Sequence, residues 1–437
     1  MKYYSTSGNS PEASLKEAVL RGLAPDRGLY MPMEIKRMPK AFFDDMPQMD
    51  FKEISCAVAA NLFGEDVEAE ALERIVRSTL SFDTPAVRVT GGIHSLELFH
   101  GPTLAFKDVG ARFMARLLAY FNEGEERTVN VLVATSGDTG SAVANGFLGV
   151  EGVRVFVLYP KGRVSPIQEC QFTTLGRNIT ALEIDGSFDD CQALVKSAFM
   201  DAGLRERMYL TSANSINVAR FLPQSFYYFR GVAQLRKEGV SEDPVICVPS
   251  GNFGNICSAM FAFRMGLPIK RMLAANNSND VFFKYLQTGK YTPKPSVRTI
   301  ANAMDVGDPS NFARILDLYK GNWEEIRSFV SGAVADDSTI LSTIRSCYEE
   351  NGYILDPHGA CGYKALKDSL EEGETGLFCE TAHPAKFKDT VEKAIGRTVE
   401  IPERLAAFMK GEKKSVPLPS DYPSFREFLL ENREPVI

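Results

Sequence analysis

The chain has little of what a metal or disulfide protein is built from. Its four histidines, His94, His100, His358 and His383, fall at no ligand spacing, and its eight cysteines are scattered without a Cys-x-x-Cys pair. That argues against a histidine-based metal centre and a zinc site, and it suits free thiols in a reducing cytosol better than disulfides. No apolar run approaches the roughly 20 residues of a membrane helix. Met1 to Gly22 has no basic start followed by an apolar core, so no signal peptide is expected. Basic excess is missing too: the formal net charge is -7, which argues against a grip on nucleic acid or anionic lipid. Internal repeats and low-complexity tracts are absent.

What remains is an ordinary soluble composition, 44% hydrophobic and 24% charged over 437 residues. That length calls for two or three packed units, and the expected partner is a small molecule. Ser10-Pro11-Glu12 reads as a helix start with a stop at Gly22. Residues 40–82 alternate helical patterns with short breaks, which predicts a small N-terminal helical unit. Ala86 to Thr90 and Ile93 to Phe99 form a hairpin signal across Gly91-Gly92. From Lys107 onward Val109, Phe113, Leu117, Leu118 and Phe121 keep helical spacing, with Gly124 as C-cap. Strand-like runs at Val129 to Ala134, Val153 to Leu158, Ile179 to Ile184, Val245 to Val248 and Arg271 to Ala275 are each followed by a helical pattern. Continuous apolar strands alternating with helices predict parallel sheet covered on both faces. Thr288 to Ser310 reads as a long surface loop.

Chemistry is expected in the turns after the strands. Lys107 follows Leu104-Ala105-Phe106 and opens a helix. Partial desolvation and the positive helix end both disfavour its ammonium form, which would make it a nucleophile; a lysine snorkelling from an apolar surface fits the same pattern. Pro249-Ser250-Gly251-Asn252-Phe253-Gly254-Asn255 could cradle a phosphate on free backbone N–H groups, or be only a tight strand–helix turn. It contains neither Gly-x-Gly-x-x-Gly nor a P-loop ending. Ser136-Gly137-Asp138-Thr139-Gly140 could hold a carboxylate, or simply cap a helix. Asn214-Ser215-Ile216-Asn217-Val218-Ala219-Arg220 suits an anionic group, though a capped, solvated helix start reads the same way. In Glu380-Thr381-Ala382-His383-Pro384, the Thr381 hydroxyl can bond a neutral ring nitrogen without protonating it. A lysine nucleophile, a phosphate cradle and a ring-nitrogen partner together describe pyridoxal phosphate chemistry.

These motifs, with Asp26-Arg27-Gly28-Leu29-Tyr30, His100 to Asp108, Ser212 to Asn217, Asn302-Ala303-Met304-Asp305-Val306 and Thr381 to Phe387, resemble the threonine synthases of the long bacterial and fungal type, within the tryptophan-synthase-β family. The resemblance runs through nearly the whole chain. It implies an α/β fold with two open parallel-sheet domains (pyridoxal phosphate fold type II) and a small N-terminal helical unit. Residues 1–84 would form the N-terminal domain, and residues 85–437 a catalytic region of two α/β subdomains with the active site between them. Lys107 would be the Schiff-base lysine and the proton shuttle. Gly251, Asn252, Phe253, Gly254 and Asn255 would hold the cofactor phosphate, Thr381 would face the pyridine nitrogen, and Asp138 would lie near the ring hydroxyl. Ser136, Gly137, Thr139 and Gly140 would hold the substrate carboxylate, and Asn214, Ser215 and Arg220 the phosphate of O-phospho-L-homoserine. Asp138 stands where the wider fold family usually has Asn, and Asn255 where relatives often carry an acid.

The reaction so implied exchanges a γ phosphate for a β hydroxyl by γ-elimination and β-addition of water, giving L-threonine. That makes the chain a cytoplasmic carbon–oxygen lyase of threonine biosynthesis, monomeric or homodimeric, with no metal. A serine or threonine dehydratase of the same fold would keep Lys107 and the glycine loop without needing a second anion site. A non-catalytic phospho-amino-acid binder would need no cofactor.

Overall fold

The computed structural model describes residues 1–125 and 127–432. Contacts divide the chain into two compact units. One comprises Met1–Met31, Lys107–Arg220 and the described residues from Ile401 onward; the other comprises Pro32–Phe106 and Phe221–Glu400. The residues before 85 are thus distributed over both.

In the first unit a five-stranded, all-parallel sheet has the order Val416–Pro419, Ile179–Asp185, Val153–Pro160, Val129–Ala134, Tyr209–Ser212. Val129–Ala134 is buried at every position, as a central strand covered on both faces must be. Helix Lys107–Asn122 presents Val109, Phe113, Leu117, Leu118 and Phe121 to the interior, the stripe its spacing predicted. Gly110 on this helix lets the Arg220 backbone approach, since a Cβ there would stand 2.4 Å from the Arg220 carbonyl oxygen.

The helix start expected at Ser10 is displaced. Residues Ala13 and Ser14 pair with Tyr3 and Lys2 in a short antiparallel ladder, and the helix runs Leu15–Arg21 from Ser14. Ser14 and Glu17 form a capping box that satisfies two backbone donors reciprocally, which Ser10-Pro11-Glu12 cannot do. Ser10 Oγ instead accepts the Asp26 N–H. The stop at Gly22 holds, with φ 73°.

The second unit carries a six-stranded sheet in the order Val330–Val334, Arg271–Asn276, Val245–Pro249, Gly376–Glu380, Ile93–Glu97, Ala86–Thr90. All neighbours are parallel except the Ala86–Thr90 edge, which closes the expected hairpin. Helices Lys40–Asp45, Phe51–Phe63 and Ala69–Thr79 account for the anticipated helical stretch. The loop after Thr288 holds only the short turn Asn302–Met304 before Phe312.

Lys2–Ser5, Tyr30–Pro32, Tyr209–Ser212, Val330–Val334 and Val416–Pro419 are strands that the sequence pattern did not announce. They are short and in part polar, and Val416–Pro419 contains two prolines, which only a sheet edge tolerates.

Candidate functional site

In the second unit the glycine loop and Thr381 leave the carboxyl ends of adjacent strands. Val245–Pro249 and Gly376–Glu380 pair in register, Val245 with Gly376 and Cys247 with Phe378. Carboxyl ends of neighbouring parallel strands are where open α/β sheets bind ligands. Ser250 is anchored by its N–H to the Ala275 carbonyl at 2.8 Å, and its own carbonyl accepts Asn276 Nδ2 at 2.8 Å. Gly251 lies against the Asn302–Met304 turn: a Cβ there would stand 2.6 Å from Met304 Cα and 2.9 Å from the Ala303 oxygen. Phe253 takes a left-handed φ of 63° directly before helix Gly254–Arg264, a strain that a well-supported binding loop can hold.

Asn255 is fixed by its oxygen and leaves its donor. Tyr228 Oη donates to Asn255 Oδ1 at 2.7 Å, while Asn255 Nδ2 is buried without a hydrogen-bond partner. A buried amide donor beside the N-terminal N–H groups of an 11-residue helix fits an anion. An acid at this position would repel one. We expect Gly251→Ala to lower the stability of the protein without ligand by about 1–3 kcal/mol through overpacking against Met304, read as a fall in the thermal midpoint.

Thr381 is joined to the stretch that leads into Lys107. The Phe106 N–H donates to the Thr381 carbonyl at 2.8 Å, Ala105 bridges Ala382, and His383 N–H donates to the Leu104 carbonyl at 3.1 Å. Leu104 holds a left-handed φ of 59°, and the buried Lys386 ammonium donates to the Thr103 carbonyl at 2.8 Å. The residue before Lys107 is therefore pinned to the residue predicted to meet a ring nitrogen.

Glu380, fully buried behind Thr381, is held protonated to well above the usual carboxylate range, first by burial and then by nearby Asp356. Its Oε1 accepts the Asp356 N–H. His383 shifts the opposite way, down to about 4, chiefly through burial and then the nearby His100. Stability from neutral His383 is present above the ordinary histidine value and is lost as pH falls toward 4. Stability from protonated Glu380 is present below the ordinary glutamate value and is lost as pH rises. Glu380→Gln removes only the second limb. Between roughly pH 5 and pH 8 its thermal midpoint is expected to gain steadily on the parent's, and a constant difference would show Glu380 to be ionised in the fold.

In the first unit the other two clusters also leave adjacent strand ends. Val129–Ala134 pairs with Tyr209–Ser212, and Asn214 Nδ2 donates to the Ala134 carbonyl at 3.3 Å. The Ser136–Gly140 turn is built around Thr135, whose Oγ1 accepts the Gly137 and Gly140 N–H groups at 2.9 and 2.8 Å. Asp138 accepts Gln168 Nε2 at 2.9 Å on Oδ1, so one carboxylate oxygen already has a protein partner. Arg220 is 3% exposed, and its Nη1 donates to the Lys107 carbonyl at 3.2 Å. Asn217, from the same cluster, is structural: its amide ties the Val19 and Ser212 carbonyls together.

Sequence reasoning did not find Thr135, Gln168, Tyr228, Asp356 or His358 as supports. For Asp356 a signal existed, since Asp356-Pro357 is an N-cap followed by proline at the first helical position, and it does start helix Pro357–Ser369. Gln168 and Tyr228 lie on helices remote in sequence from their partners, with no local signal.

Residues 84–378 match the family described as pyridoxal-phosphate dependent enzyme, residues 2–80 that described as threonine synthase N terminus, and residues 359–429 that described as threonine synthase, C-terminal. The chain is 44% identical to a threonine synthase of Serratia marcescens, over 98% of this chain and 99% of the relative. The crystal structure of threonine synthase from Escherichia coli superposes with a TM-score of 0.93 at 42% identity, covering 99% of this chain and all of that one. A structure of PLP-bound threonine synthase from Brucella melitensis gives a TM-score of 0.93 at 34% identity, covering 99% of this chain and 100% of that one.

Proposed function

The chain belongs to the threonine synthase family of pyridoxal-phosphate-dependent enzymes, and from that premise we infer how its residues divide the reaction. The reaction converts O-phospho-L-homoserine and water to L-threonine and phosphate, with pyridoxal 5'-phosphate as cofactor. The residues present fit that cofactor: the loop offers a buried amide donor and helix-start N–H groups to a phosphate, and Thr381 offers a hydroxyl at the adjacent strand end. When bound, the cofactor supplies an electron sink beside the substrate's α carbon.

Lys107 would hold the cofactor through its amine and then carry protons, taking one from Cα and one from Cβ, giving one to Cγ once phosphate has left it, and returning one at Cα after water has added at Cβ. Gly251, Asn252, Phe253, Gly254 and Asn255 would hold the cofactor phosphate. Thr381 would face the ring nitrogen and leave it neutral, which keeps charge on the substrate so that the γ phosphate can depart. Asp138 would lie near the cofactor ring, braced by Gln168. Ser136, Gly137, Thr139 and Gly140 would take the substrate carboxylate, and Asn214, Ser215 and Arg220 its phosphate. Residues 1–84, although divided between the two compact units, would form the N-terminal domain and residues 85–437 the catalytic region. The free cysteines suit a cytoplasmic protein, which would act as a monomer or homodimer.

The observation that carries the substrate assignment is the buried Arg220 guanidinium on the backbone of Lys107, a phosphate-binding group at the turn that holds the nucleophile. The direct test supplies purified protein with cofactor and O-phospho-L-homoserine and measures phosphate and threonine together. Equal release of both is the expected result. A cofactor band that vanishes on borohydride reduction, with no phosphate released, would turn the assignment toward a dehydratase.

A further inference from the structure

We propose that His358 is a positioning residue for the cofactor phosphate, acting through the backbone of Ala303 on Gly251. The proposal rests on reading Gly251 to Asn255 as the phosphate loop. His358 is 2% exposed, and its Nδ1 lies 2.6 Å from Asp356 Oδ1 while Nε2 accepts the Ala303 N–H at 3.2 Å. Because Nε2 accepts, the ring proton sits on Nδ1, facing the carboxylate. The same Asp356 oxygen also accepts the His358 N–H at 2.6 Å, which fixes the carboxylate that holds the imidazole.

Ala303 belongs to the turn Asn302–Met304, the wall against which Gly251 lies. At its C-terminal end the turn is held by Asp305, which accepts the Thr299 N–H at 2.9 Å and Asn277 Nδ2 at 2.8 Å. His358 holds the middle of the turn through the Ala303 N–H. A turn released there moves against Gly251, where there is no Cβ and no slack, and it carries the loop N–H groups out of line with a dianion. The imidazole itself need not reach the phosphate.

The test separates phosphate from the rest of the cofactor. Apoprotein is titrated with pyridoxal phosphate and, separately, with pyridoxal, following the visible absorption band. His358→Leu keeps the bulk that packs on Phe387 but removes the acceptor, whereas His358→Gln can restore one. H358L is expected to weaken pyridoxal phosphate about tenfold, the value of one buried hydrogen bond, and to leave pyridoxal unchanged. H358Q should recover most of the loss. Equal weakening of both ligands, or of neither, overturns the proposal. Should H358L not fold, H358N, whose amide is too short to reach Ala303, takes its place with the same two arms. A parent protein that binds pyridoxal as tightly as its phosphate would instead overturn the loop reading itself.

Discussion

Lys107→Ala is expected to lower threonine formation by about four orders of magnitude or more, because in the proposed reaction one amine both holds the cofactor and moves protons at three substrate carbons. The fold should survive the change. Lys107 is only partly buried, and alanine is the better helix former at the start of Lys107–Asn122. The local backbone is held by groups that the substitution leaves in place. Arg220 bonds the Lys107 carbonyl, and Phe106 bonds Thr381. The variant should therefore unfold at nearly the parent temperature, still bind pyridoxal phosphate through its phosphate contacts, and show no band that borohydride can fix to the chain. Turnover above about one hundredth of the parent's would remove Lys107 from the proton transfers, since a positioned acid–base group alone accounts for at least that factor.

Arg220→Ala carries the second largest effect. Charge-assisted hydrogen bonds to a phosphate contribute about 1.5–3 kcal/mol each, so losing a forked pair should cut kcat/KM for O-phospho-L-homoserine by about 10²–10⁴-fold. Arg220→Lys should recover only part, because an ammonium cannot present two parallel donors. Arg220 also bonds the Lys107 carbonyl, and two measurements keep its roles apart. If its work is substrate phosphate binding, inhibition by inorganic phosphate should fade in both variants while the affinity for pyridoxal phosphate is retained. Turnover of phosphohomoserine left intact in Arg220→Ala would sink the substrate assignment and favour the dehydratase.

The strand ends that matter were legible in the sequence because central parallel strands are apolar without interruption and glycine and hydroxyl residues mark their exits. Val129–Ala134 and Val245–Pro249 appear where they were expected, as do the turns that follow them. The N-terminal helix start was misplaced because Ser10 and Ser14 look alike locally. What separates them is the reciprocal bond from Glu17 and the pairing of Ala13 with Tyr3. Edge strands such as Val416–Pro419 were hidden because they exist only through their neighbours.

By itself, then, the sequence determined the alternating α/β layout and where Lys107, the glycine loop and the two polar clusters at the strand ends fall, since each is a short run legible without a distant partner. Only the tertiary structure decided which of those runs share a sheet end, why Asn255 keeps a donor spare, and that Asp356 and His358 stand behind Ala303. Hydrogen bonds between residues tens of positions apart leave no periodicity to read. They are set by strand order and close packing, which bring partners together only once the whole unit has folded.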